Sequence, residues 1–341
     1  MISAGGAQGG PDADGGGGAG GGDLPAPSGR GRPAARVLAI GECMAELAPL
    51  ETPGEYRLGF AGDSFNTAWY LARLRPGLAV SYLSAIGTDA LSRRMRAAME
   101  AAGIDASHLR ELPDRTVGLY LIMLDRGERS FTYWRGESAA RHLADDPSAV
   151  ARAIGAADLV YFSGITLAIL APGPRRTLLA ALQSARASGK PVAFDPNLRP
   201  RLWSGAAEMT AAIMQGAAVS DIVLPSFEDE ARWFGDASPA ATIERYRAAG
   251  SATVIVKDGP RPVHYRHGAE TGSVAVPPVA RVVDTTAAGD SFNAAILAGL
   301  IAGDPVAAAI ALACRLAGHV IQGRGALVPF DPVADLDCPA R

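Results

Sequence analysis

The residues best suited to chemistry lie in one stretch, Val283-Asp284-Thr285-Thr286-Ala287-Ala288-Gly289-Asp290-Ser291-Phe292-Asn293, which joins a loop to an apolar helix. The small residues Ala287, Ala288 and Gly289 let successive backbone N–H groups face outward where that helix begins. With the helix dipole, they form an anion site suited to a phosphoryl group. Asp290 falls in the first helical turn beside them. A carboxylate there can take a proton from an attacking hydroxyl while the amides hold the transferring phosphate. The same spacing also fits a plainer arrangement, in which Asp290 complements the helix N-terminus and Asp284 caps the turn.

Further polar residues have readings of both kinds. Gly62, Asp63 and Asn66 sit at a turn that opens a helix. They fit an Asx turn or cap as well as a ligand contact, and one loop can do both. Tyr120 and Tyr133 lie in two strand-like segments, where they can meet a ligand or pack on a sheet. Lys257 is one of only two lysines; the other 30 of the 32 basic residues are arginine. Gly189-Lys190-Pro191 is the sole Gly-Lys pair and no Ser or Thr follows it, which excludes a Walker-type phosphate loop. No G-x-G-x-x-G lies between a strand and a helix, so a dinucleotide-binding dehydrogenase is disfavoured. Three cysteines without C-x-x-C and five histidines without H-E-x-x-H offer neither a disulfide framework nor a zinc site.

The elements that must hold these residues follow from apolar patterning. Short apolar runs at Val37–Ile40, Val80–Ala85, Leu159–Phe162, Pro191–Phe194, Ile222–Leu224 and Ala252–Val256 read as buried strands. Helical patterns lie between them, as at Leu91–Ala102, Arg175–Ala187, Ala206–Ala218 and Ala240–Ala249. Alternation of this kind implies βαβ units and a mostly parallel sheet covered on both faces. Two Ala-rich helices close the chain, about Ala288–Ile301 and Pro305–Gln322, split by Gly303-Asp304-Pro305. Val117–Leu124 and Glu128–Trp134, around Asp125-Arg126-Gly127, read instead as a hairpin. It can form a separate β layer over the strand ends, where α/β proteins bind ligands. Residues 1–33 hold 13 of the 40 glycines and no aromatic residue, the composition of a disordered tail. A net charge of −3 gives no basic field for nucleic acid or membrane. No secretory signal or membrane span is recognised, and a soluble protein of the reducing cytoplasm is expected.

Asp284-Thr285-Thr286-Ala287-Ala288-Gly289-Asp290 resembles the D-T-x-G-A-G-D signature of the ribokinase-like (PfkB) sugar kinases, with Ala287 in place of a glycine. Ala61-Gly62-Asp63-Ser64-Phe65-Asn66-Thr67-Ala68 resembles their G-G-D/N-x-x-N-x-A segment, with Ala61 for the first glycine. Four further segments, Gly41–Leu47, Glu128–Arg135, Phe162–Leu170 and Phe194–Trp203, are similar to the branch acting on 2-keto-3-deoxygluconate. The likeness runs from about Val37 to Pro329.

The resemblance implies a three-layer α/β sandwich with a mostly parallel central sheet. A small β lid would come from about residues 42–62 and 110–137 of a kinase domain spanning 34–332, with a C-terminal tail at 333–341. It implies ATP-dependent phosphorylation of a sugar acid at its 6-hydroxyl, with Mg²⁺, in a homo-oligomer paired through the lid. Asp290 would be the base, with Ala287, Ala288 and Gly289 around the phosphate. Gly62, Asp63, Asn66, Tyr120, Tyr133, Arg135 and Arg199 would bind the sugar acid, the two arginines taking its carboxylate. Asn197, Ser226, Lys257 and Gly259 would line the nucleotide. In Ser226-Phe227-Glu228-Asp229-Glu230, an imperfect N-x-x-E, Glu230 is taken as the metal contact and Asp229 is the other candidate. A fructose- or ribose-type kinase, or a non-catalytic sugar sensor of the same fold, is the alternative.

Overall fold

The computed structural model describes residues 35–125 and 128–336. The Gly-rich tail at 1–33, the turn residues Arg126 and Gly127, and the chain from 337 onward lie outside the described residues.

The strand at Val37–Ile40 shows how the sequence builds the main sheet. Val37 and Ala39 enter one core cluster and Leu38 and Ile40 the other, so an unbroken apolar run serves both faces. In space the sheet runs β14 (Glu270–Val274), β13 (Val263–His267), β12 (Thr253–Val256), β11 (Ile222–Val223), β10 (Val192–Asp195), β9 (Leu159–Ser163), β1 (Arg36–Ile40), β4 (Ala79–Ile86) and β5 (Ile104–Asp105). A short β6 (Leu109–Glu111) also pairs with β4. The pairings from β12 through β5 are parallel, as expected for a ribokinase-like α/β sandwich. The antiparallel edge β12–β13–β14 was not expected. β13, Val263-His264-Tyr265-Arg266-His267, alternates buried with half-buried residues beside the edge strand β14, so it carries no apolar run.

One layer of helices contains α1 (Asp63–Leu74), α9 (Ala288–Ala302) and α10 (Val306–Val320). Every residue of α9 from Ser291 to Leu300 is buried, which explains its nearly uniform apolar composition. At Gly299 a Cβ would press on Ala309 of α10 at 2.5 Å, so small residues let the two helices approach. Gly303, at φ 75°, ends α9 in the left-handed conformation that the Gly303-Asp304-Pro305 break suggested.

A second, four-stranded sheet runs β3 (Tyr56–Ala61), β2 (Met44–Pro49), β7 (Gly118–Asp125) and β8 (Glu128–Trp134). The hairpin segments form its antiparallel β7–β8 pair. Tyr120 stands opposite Tyr133 on one face, and Leu119 opposite Trp134 on the other. No helix among the described residues is long and apolar enough to cross a membrane.

Candidate active site

Strand ends and two helix starts converge on the C-terminal edge of the main sheet, where α/β folds place their ligands. α9 begins after Ala287, whose φ of 59° and ψ of 13° are left-handed for a residue with a side chain. That strained backbone turns the helix start outward. Ala288 N–H donates to the Thr285 carbonyl at 3.3 Å. The N–H groups of Ala287, Gly289 and Asp290 have no partner among the described residues. The expected set of three amides is thereby shifted, with Asp290 N–H taking the place of Ala288. Around Gly289 the space is open, its nearest neighbour to a Cβ being Lys257 Nζ at 3.8 Å.

The Asp290 side chain does not cap its own helix. Its Oδ2 accepts from Asn66 Nδ2 at 2.8 Å, and its carbonyl accepts from Thr67 Oγ1 at 3.2 Å. Burial pushes the Asp290 carboxyl up to about 8, and the neighbouring Asp63 and Asp195 add to the rise. Asn66 and Lys257 oppose it. Asp284 closes the turn before the helix, accepting from Thr286 N at 3.1 Å and Gly325 N at 2.6 Å.

α1 supplies the facing wall. Asn66 Oδ1 accepts from Gly62 N at 3.2 Å, and Asp63 Oδ2 accepts from Asn197 Nδ2 at 2.8 Å. A Cβ on Gly62 would collide with the Glu42 carbonyl oxygen. Gly62 is therefore required by the chain's own close approach, independent of any ligand. Asn197, at φ 35°, is the other non-glycine residue with positive φ among the described residues, so both such positions lie in this site. Lys257, just past β12, donates to Asn293 Oδ1 at 3.0 Å and pairs with Asp195 at 3.5 Å. Asn293 Nδ2 donates to Asp195 at 2.7 Å and to the buried Tyr161 hydroxyl at 3.2 Å. That hydroxyl in turn can donate to Thr67 Oγ1, 3.3 Å away. This network connects Lys257 to the Asp290 backbone. Asp195 and Asn293 were not singled out from the sequence, although both stand inside quoted motifs.

The second sheet brings Tyr120, Tyr133 and Arg135 to the same side, but not as free groups. The Tyr120 hydroxyl donates to buried Glu46, and its ring lies 5.7 Å from that of Tyr133, which is exposed. Arg135 Nη2 is paired with buried Glu42. Arg199 is exposed and donates to the Leu198 carbonyl at 2.9 Å.

Glu230 requires a correction. Its side chain is fully buried between α7 (Phe227–Phe234) and α8 (Pro239–Ala248), facing away from the cleft. It pairs with Arg245 at 2.6 Å and accepts from the Tyr246 hydroxyl at 2.9 Å. Burial pushes it up to about 7 despite both partners. The next residue back faces the site: Asp229 is raised by burial and by Asp195 and Glu228, with Arg199 and Lys257 opposing. Adjacent residues stand 100° apart around a helix, so Asp229 and Glu230 point in different directions. Ser226 forms a backbone bridge with Lys257, and Gly259 holds φ 59° in open space beyond it. Among the described residues no three His, Cys, Asp or Glu side chains gather as a metal cluster.

Comparison with known proteins gives this geometry a family. The description "pfkB family carbohydrate kinase" matches residues 34–332. A 2-dehydro-3-deoxygluconokinase of Escherichia coli strain K12 is 39% identical over 303 residues, covering 86% of this chain and 97% of its own. One from Haemophilus influenzae is 37% identical over 300 residues, covering 86% and 95%. Among solved structures, a PfkB protein from Polaromonas sp. JS666 superposes with a TM-score of 0.74 at 32% identity, covering 85% of this chain and 97% of its own. A 2-dehydro-3-deoxygluconokinase from Thermotoga maritima, at 19% identity and TM-score 0.78, shares the fold over 89% of this chain and 98% of its own. The chain belongs to the pfkB family of carbohydrate kinases.

Proposed function

We propose that this chain transfers the γ-phosphoryl group of ATP to the 6-hydroxyl of 2-dehydro-3-deoxy-D-gluconate, giving 2-dehydro-3-deoxy-6-phospho-D-gluconate. The observation that carries the reading is Asp290, half-buried, bonded to Asn66, raised to about 8 and set beside the unpartnered amides that open α9. Asp290 takes the hydroxyl proton as that oxygen attacks phosphorus. The amides of Ala287, Gly289 and Asp290, fixed before the reaction, stabilise charge on the transferring group. Asn66 orients the carboxylate, and Gly62, Asp63 and Asn66 hold the sugar. Asn197, Ser226, Lys257 and Gly259 line the nucleotide, with Lys257 fixed by Asn293 and Asp195.

The donor set fits Mg²⁺, which keeps several waters and takes few protein carboxylates. Asp229, beside Asp195, would hold it. When bound, the ion neutralises phosphate charge. The second sheet acts as a lid that excludes water once sugar and nucleotide are in place. Its outward face exposes Tyr56, Met123 and Trp134, and we propose that two copies pair there. Sedimentation should give a dimer that Trp134→Glu dissociates; a monomeric wild type overturns the pairing.

Coupled ADP detection with 2-dehydro-3-deoxygluconate, its galactonate epimer and fructose tests the activity. Turnover should favour the acids, and Asp290→Asn should lower kcat by about three orders of magnitude or more with a smaller effect on sugar binding. Near-wild-type kcat in that variant rules out Asp290 as base.

A further inference from the structure

We infer that Glu42 is a positioning and specificity residue. It neutralises Arg135, so that Arg135 serves the substrate as a hydrogen-bond donor while Arg199 supplies the counter-charge for its carboxylate. This rests on the sugar-acid reading above, and it divides a role that the two arginines were expected to share.

Glu42 follows β1 and is 1% exposed. Oε2 is held by Arg135 Nη2, and Oε1 accepts from the Ser138 hydroxyl at 2.5 Å. A carboxylate buried to this degree is costly unless paired, so the charge of Arg135 is already taken up. The second sheet is shaped around the pair. At Gly118 on β7, a Cβ would press on Glu42 Oε1 at 2.7 Å and on the Arg135 Cβ at 3.3 Å.

Arg135 nevertheless has something left to give. Its Nε is buried and without a partner, the one such side-chain atom among the described residues. A buried N–H left unpaired is costly, and Nε is held in place by the Glu42 contact. It fits an acceptor that arrives with substrate. Because the guanidinium is neutralised, a keto or hydroxyl oxygen can satisfy Nε as a carboxylate can. Arg199 differs in charge. It is exposed and has no ion pair among the described residues, and its positive field reaches Asp229. It stands two residues after Asn197, which is bonded to Asp63. Asp63 follows Gly62, whose backbone packs on Glu42. Both arginines therefore border one loop, and only Arg199 brings net charge to it.

Steady-state kinetics of the full chain with 2-dehydro-3-deoxygluconate and its neutral carboxamide separate the roles. Arg199→Gln should raise KM for the acid at least about tenfold more than KM for the amide. Arg135→Gln should raise both KM values by factors within about threefold of each other. Glu42→Gln should lower KM for the acid relative to the amide by about threefold, since it restores a net positive charge, with kcat changed similarly for both. The inference is overturned if Arg135→Gln selectively loses the acid while Arg199→Gln spares it. It is also overturned if Glu42→Gln weakens the acid more than the amide. Should Glu42→Gln fail to fold, the two arginine variants decide the question. A wild type active on neither compound removes the sugar-acid reading itself, whereas an active wild type with the wrong pattern removes only this division of labour.

Discussion

In the proposed reaction a single carboxyl sets the chemistry, and its neighbours set the pH at which it works. Asp290 sits at about 8 because burial, Asp63 and Asp195 disfavour its charge more than Asn66 and Lys257 favour it. A base must be unprotonated, so kcat/KM should rise with pH through that region in the sugar-free enzyme. Asp63→Asn removes a like charge and should move this acid limb to lower pH. Lys257→Met removes an opposing charge and should move it to higher pH. Shifts of one sign in both variants, or of neither, would show that the limb reports another group. Two residues of this site also carry unfavourable backbone: Ala287 and Asn197 hold positive φ without being glycine. The family signature has glycine where this chain has Ala287, and the structure shows why glycine suits the position: the backbone is left-handed there, whatever ligand it meets.

At the scale of elements, α7 separates two carboxylates that one short acidic run made hard to tell apart, the paired Glu230 and the proposed metal contact Asp229. Glu230 and Asp229 are adjacent in sequence, and three acidic residues at a helix start satisfy the dipole in any rotation. Only packing against α8 decides which one is buried. Glu230→Ala should therefore lower unfolding stability by about 3 kcal/mol, since it leaves Arg245 with fewer partners in a buried network, and should leave the Mg²⁺ dependence of turnover intact. Asp229→Asn should do the reverse, weakening Mg²⁺-dependent turnover while the denaturation midpoint stays near wild type. Denaturant titration beside a Mg²⁺ titration of activity checks both. A stable Glu230→Ala with lost metal response returns the role to Glu230. The parallel strands were legible because each buries both faces and must be apolar throughout, as Val37–Ile40 does. The β13–β14 edge and the partners Glu42 and Glu46 were not. An exposed edge needs no apolar run, and a buried glutamate is recognised only once its arginine or tyrosine is seen beside it.

For the molecule as a whole, the site proposed to perform the chemistry opposes the fold. Asp63 and Asp195 lie close enough to raise Asp290, in a cleft where burial already disfavours its charge. The stability consequence has a definite sign. Unfolded, Asp290 titrates as an ordinary carboxyl, near 3.8; folded, it titrates at about 8. Between those values the native state binds more protons than the unfolded state, so stability falls as pH rises. The contribution of this group is complete below the lower value and is lost as pH passes the upper one. Asp290→Asn keeps the shape and cannot ionise. Its melting temperature should accordingly exceed that of the wild type by a margin that is small near pH 5 and grows to a few degrees by pH 8.5, the size expected when about 1 kcal/mol or more is recovered in a chain of this length. The same variant is the one expected to lose turnover, so activity and stability should move in opposite directions at a single atom pair. Calorimetric melting of both proteins across pH 5 to 8.5 measures the margin. A constant margin would mean that Asp290 is already ionised in the folded enzyme across this range, and an acid limb of kcat/KM near pH 8 would then belong to another group.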